Sequence, residues 1–82
     1  MANMLTEYKG FELNVGVYGA AQGFIPTLTI TKHHGSHTNE KRFSPPCPTN
    51  GIPDEKEALQ AAIDFGKAVI DGRVKGATVQ DI

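Results

Sequence analysis

Three imidazoles and one thiol are the side chains of this sequence most able to do chemistry. His33, His34 and His37 fall within five residues, and Cys47 follows ten residues later. Neutral imidazole and thiolate are good zinc ligands. Their spacing here matches no zinc-finger pattern, and there is no cysteine pair. His33, His34, His37 and Cys47 are therefore weak metal candidates, and no metal is expected. A Gly-Ser turn with polar flanks accounts for HHGSHT without an ion. Cys47 could form a nucleophile pair with a histidine, given a thiolate-stabilising environment and a group that orients the base. Cys47 instead lies between Pro46 and Pro48, with no helix N-terminus at hand. No catalytic or cofactor-binding residues are expected, and the chain reads as a non-enzyme without a cofactor.

Two further patterns bear on ligands. Gly16, Gly19 and Gly23 have neither the Walker A nor the dinucleotide spacing, and no helix follows them directly. Lys32, the histidines, Lys41 and Arg42 make a locally basic stretch over residues 32–42. Three or four cations give weak, salt-sensitive contact with nucleic acid. A small nucleic-acid-binding or regulatory protein using this hairpin is the alternative reading. It is not the preferred one, because aromatics are few and no recognition motif is present.

Composition narrows the classes. Eighty-two residues make a single domain, 1–82, with a modest core and little room for a deep cleft. Eight basic residues against nine acidic ones give no overall attraction to nucleic acid or anionic membrane. One cysteine excludes an internal disulfide. The start, MANMLTEYKG, lacks the basic and apolar regions of a signal peptide. No apolar run approaches the ~18 residues of a membrane span. A cytoplasmic protein without a membrane partner is expected.

The element that organises the chain is DEKEALQAAIDFGKAVIDG, residues 54–72. Ala58, Leu59, Ala62, Ile63, Phe65, Gly66, Val69 and Ile70 recur at helical spacing on one face. Lys56, Glu57, Gln60, Asp64, Lys67 and Asp71 share the other. Asp54 is suited to cap the N-terminus, with Glu57 three residues on, and Gly72 to cap the C-terminus. The spacing predicts a helix over 54–71. Burying its apolar face does not by itself offset the entropy of ordering it, so the helix must dock on the rest of the chain. Gly66, inside the apolar face, implies close approach to a sheet.

Residues 1–7 read as a loose start, and the strands are placed within 8–44. Phe11, Leu13, Val15 and Val17 alternate with polar residues or glycine, which is strand periodicity. Gly19 to Gly23 makes a turn. FIPTLTITK is the second strand, with Phe24, Leu28 and Ile30 on one face and Ile25, Thr27, Thr29 and Thr31 on the other. Pro26 cannot donate to a ladder, so it calls for an edge, a bulge or a strand start. NEKRFS is a short third strand, with Phe43 inward. A proline-rich loop over 45–53 leads to the helix, and 73–82 is a tail. The fold class is α+β: a small antiparallel β-sheet of about three strands packed against one long C-terminal α-helix.

The segments Tyr8-Lys9-Gly10-Phe11-Glu12-Leu13 and Phe65-Gly66-Lys67-Ala68-Val69-Ile70-Asp71-Gly72-Arg73-Val74 resemble small uncharacterised proteins of Gram-negative bacteria, some of them prophage-encoded. In those, a few antiparallel strands precede one C-terminal helix. The resemblance implies the same fold and an accessory role in prophage or phage-tail assembly. It supplies no functional family and no site residues. The expected function is a non-enzymatic protein–protein interaction module, with a protein partner or self-association. Its partner surface is expected at Tyr18, Ile25, Thr27, Thr29, Thr31, Lys32, Lys41 and Arg42.

Overall fold

The computed structural model describes residues 3–19, 22–48, 50–80 and 82. Among the described residues, four strands precede one helix: β1 (Asn3–Tyr8), β2 (Phe11–Gly19), β3 (Phe24–His34), β4 (His37–Phe43) and α1 (Glu55–Ile70). The strands form one antiparallel sheet in the order β1-β2-β3-β4. The α+β class and antiparallel pairing hold, but the sheet has four strands where about three were expected.

The additional strand corrects the reading of residues 1–7 as a loose start and of strands confined to 8–44. Asn3 to Tyr8 pair in unbroken register with Gly16 to Phe11. Met1 and Ala2 lie outside the described residues, as do Ala20 and Ala21 of the glycine turn, Thr49 of the loop and Asp81 of the tail. The link from β1 to β2 is two residues, Lys9 (φ 50°) and Gly10 (φ 85°). Positive φ at both positions is the type I′ hairpin turn, whose twist matches that of the flanking strands. Tyr8-Lys9-Gly10 is thus a hairpin corner and not the beginning of a strand. At the same end of the sheet, β3 and β4 meet across Gly35 (φ 61°) and Ser36. HHGSHT therefore contributes His33, His34, His37 and Thr38 to the ladder, and only its two central residues turn.

Side-chain alternation sorts the sheet into two faces. Leu13, Val15 and Val17 from β2 and Leu28 and Ile30 from β3 are buried beneath α1. From the helix, Ala58, Leu59, Ala62, Ile63, Gly66 and Val69 are buried, with Phe65 and Ile70 partly so. A Cβ placed on Gly66 would lie 3.1 Å from Leu13 Cδ2 and 3.3 Å from Leu28 Cδ1. Glycine here permits close contact between helix and sheet.

Both helix ends follow from their residues. Asp54 is extended at the N-cap, and its carboxylate accepts from the Lys56 N–H at 3.1 Å. At the other end the Arg73 N–H donates to the Ala68 carbonyl and the Gly72 N–H to the Val69 carbonyl. With Gly72 at φ 76°, this is a Schellman cap. The chain then returns over the sheet: Val79 is buried, and Val74, Ala77 and Ile82 pack against the core. The molecule measures 41 × 26 × 15 Å. Its least dimension is that of one helix layer on one sheet layer, and no other described element covers the second face of the sheet.

Asp71 clamps the first hairpin to the helix end. It accepts from the Tyr8 hydroxyl at 2.8 Å and from Lys9 Nζ at 2.6 Å, with Arg73 at 3.5 Å. A carboxylate at a helix C-terminus faces the negative end of the dipole, and these donors offset that repulsion. The hydrogen bonds from Lys9 and then Tyr8 hold the Asp71 carboxyl below its ordinary value, and Asp71 in turn raises Lys9. A carboxylate with a depressed folded pKa stabilises fully above its unfolded value and loses that effect as pH falls through the folded one. Lys9, raised, contributes fully below its unfolded value and loses its effect as pH rises through the folded one. The clamp is thus at full strength between the ordinary carboxylate and lysine values, 3.8 and 10.5. Tyr8→Phe should lower Tm at neutral pH, and the gap to the parent should close as acid neutralises Asp71. Thermal unfolding from pH 7 to pH 2 measures this; a gap independent of pH would remove Asp71 from the explanation.

Candidate functional site

The residues that could do chemistry are separated by strand geometry. His34 and His37 oppose one another across the β3–β4 turn, on the helix side of the sheet. His33 and its partner Thr38 lie on the opposite side. There the His33 Nε2 pairs with the Glu12 carboxylate, and its Nδ1 lies 3.2 Å from the Thr38 hydroxyl. Adjacent histidines in a strand point to opposite faces, so the three imidazoles do not converge. Cys47 is a half-buried free thiol in the proline loop. Among the described residues, no group of three or more His, Cys, Asp or Glu side chains is placed to hold a metal ion.

The uncovered face is built by the odd residues of β1 and β3 and the even residues of β2 and β4. The cross-strand registers arrange it in rows. Leu5, Asn14, Thr29 and Arg42 form one row; Glu7, Glu12, Thr31 and Glu40 form the next toward the hairpin turns. Tyr18 and Ile25 sit side by side at the far end. Leu5 is 63% exposed and Tyr18 46%. The acidic row places Glu7 directly opposite Glu12, a repulsive pair, and the His33 Nε2 contacts Glu12 from the neighbouring strand.

Of the expected surface residues, Tyr18, Ile25, Thr27, Thr29, Thr31 and Arg42 share this face. Lys32 and Lys41 do not, which corrects the grouping. Strand alternation turns both to the helix side. Lys32 lies 4.8 Å from the centre of the Phe11 ring and 3.4 Å from the Gly10 carbonyl. Lys41 donates to the Thr78 carbonyl at 3.1 Å. The basic hairpin is therefore not one basic patch, and its cations are divided between two surfaces.

One corner of the open face is indented. β4 ends at Phe43, opposite Leu28, while β3 continues to Phe24. Phe24 is next paired by the loop, in a two-way bridge with Ile52 at 2.8 Å each way. Between these pairings the β3 edge has no strand beside it, and Pro26 sits in the gap. Phe24 directs its N–H toward the loop side, so Pro26, two residues on, faces the same way. Its missing N–H falls where no ladder partner exists, which is the local edge that proline requires. A notch of about 450 Å³ opens here, lined by Tyr18, Thr27, Leu28, Thr29, Arg42, Phe43 and Ser44. Leu5, Leu28, Phe43 and Ser44 were not expected on the site. Leu5 was hidden by the loose-start reading. The other three line the notch where β4 ends beside β3.

No helix among the described residues is long and apolar enough to cross a membrane. A scan against family models, a search of curated proteins and a search of solved structures each found no match.

Proposed function

We propose that this chain is a non-enzymatic protein–protein interaction module that presents its uncovered sheet face to a protein partner. The observation that carries the reading is the bare face itself. It combines exposed Leu5 and Tyr18 with threonine and asparagine side chains that can bond to a neighbouring backbone, and it ends in the notch beside Arg42. Glu7, Glu12 and Glu40 with Arg42 make its charge mixed and acidic on balance, which suits a protein and not a polyanion. A cytoplasmic setting accords with the one unpaired thiol, Cys47. The accessory role in prophage or phage-tail assembly rests on the sequence resemblance alone.

The test compares capture from a lysate of the native host by the parent and by a Tyr18→Ser, Thr27→Glu variant. Lys56→Glu, on the exposed side of α1, is the control. One discrete partner should be retained by the parent and the control and reduced tenfold or more by the face variant, with unfolding curves unchanged. Equal capture by all three would reject the face as the contact surface.

A further inference from the structure

The two edges of the sheet are unequal. β4 carries His37, Glu40, Lys41 and Arg42, and Lys41 ties it to the returning tail. Charged side chains, lysine above all, are a device that keeps strand edges from pairing with other chains. β1 is less protected, with Glu7 as its one charged residue. Asn3–Tyr8 contains no proline, lysine or arginine, and its unbroken register excludes a bulge. Met4, 45% exposed, and Leu5, 63% exposed, lie on opposite faces of this one strand. The helix packs on β2 and β3, reaches β1 only lightly and does not reach β4, so Met4 and Leu5 beside the β1 edge are exposed on both faces.

The backbone of β1 is moreover complementary to itself. Tyr8 and Phe11 flank a two-residue turn and form a hydrogen-bonded pair. By alternation, Thr6 and Met4 also bond toward β2, while Glu7, Leu5 and Asn3 direct their N–H and C=O groups outward. We propose that β1 pairs with β1 of a second copy, antiparallel about a two-fold axis at Leu5, joining two four-stranded sheets into one. Leu5 then opposes the partner's Leu5, and Asn3 opposes the partner's Glu7. This register pairs every outward-facing residue of the strand and sets a carboxamide against each carboxylate. A shift toward the turn would shorten the overlap and bring Glu7 against the partner's Glu7. Met4 meets the partner's Thr6 on the helix side. The contact is isologous and closes as a dimer. The contact takes Leu5 from the open face and leaves Tyr18, Thr27 and the notch free, so its test is distinguishable from the one at Tyr18 and Thr27.

Light scattering coupled to size-exclusion chromatography on untagged protein, across a concentration series, reads the assembly. A particle of twice the chain mass is expected for the parent, and a monomer with unchanged circular dichroism for Leu5→Lys. Amide exchange supplies a second readout. The Leu5 and Glu7 amides of the parent should slow at least tenfold as concentration rises through the dimer range, while amides along β4 keep their rates. A parent that is monomeric throughout overturns the proposal. So does a dimer that survives Leu5→Lys, or one in which the Leu5 and Glu7 amides exchange as in the monomer.

Discussion

Leu13→Ala is expected to destabilise the fold by about 2–5 kcal/mol, the range for emptying a buried leucine site. Leu13 has no exposed surface, and its two methyl groups lie against Gly66, where the helix comes closest to the sheet. Relaxation is limited because the neighbouring residue on the helix is a glycine, which has no side chain to move into the space. A domain of this length has a total stability of roughly 4–12 kcal/mol, so the variant should lose much of its margin. Urea unfolding followed by circular dichroism measures the loss. A change below about 1 kcal/mol would mean that the helix does not seat on Leu13.

Gly51→Ala should have the second large effect, for two reasons that add. Gly51 has φ 88°, where an L side chain costs about 1–2 kcal/mol. A Cβ there would also lie 2.8 Å from the Phe24 nitrogen and 3.0 Å from the Gly23 carbonyl carbon. These are backbone atoms and cannot swing aside. Relief requires parting the Phe24–Ile52 bridge, whose two hydrogen bonds contribute about 0.5–1.5 kcal/mol each. The expected total is about 2–5 kcal/mol. Gly35→Ala is the internal reference. Gly35 has φ 61° but nothing within 4 Å of its added Cβ, so it carries the backbone strain alone. Equal losses in the two variants would show that the loop is not held by the bridge.

The helix and the core face of the sheet were legible because both repeat a simple period over many residues. Ala58 to Ile70 mark one face every three or four residues, and Leu13 to Val17 alternate strictly. Asp54 and Gly72 mark the ends by their own chemistry. β1 was not legible for a physical reason. An edge strand that the helix barely covers has no buried alternation, and NMLTEY places Met4 and Leu5 side by side. Its turn was concealed as well: the two-residue hairpin signal is Asn-Gly or Asp-Gly, and here a lysine takes the first left-handed position.

The open face shows the same division. Tyr18, Ile25, Thr27, Thr29, Thr31 and Arg42 follow from counting alternate residues. Lys32 and Lys41 were grouped with them by closeness in sequence and by charge, which ignores the parity that turns them to the other side. The notch depends on a contact between Phe24 and Ile52, far apart in the chain, and no local pattern encodes it. Pro26 was its one sign, since a proline inside a strand requires a missing neighbour.

The most direct test of the account places a photoreactive benzoyl-phenylalanine at Thr27, on the open face beside the notch, and irradiates cells of the native host. The same probe at Lys56, on the solvent side of the helix, is the comparison. A single adduct of defined mass from position 27 and none from position 56 is the predicted result. Adducts of equal yield from both positions, or none from position 27, would contradict the claim that the uncovered face is where this chain meets its partner.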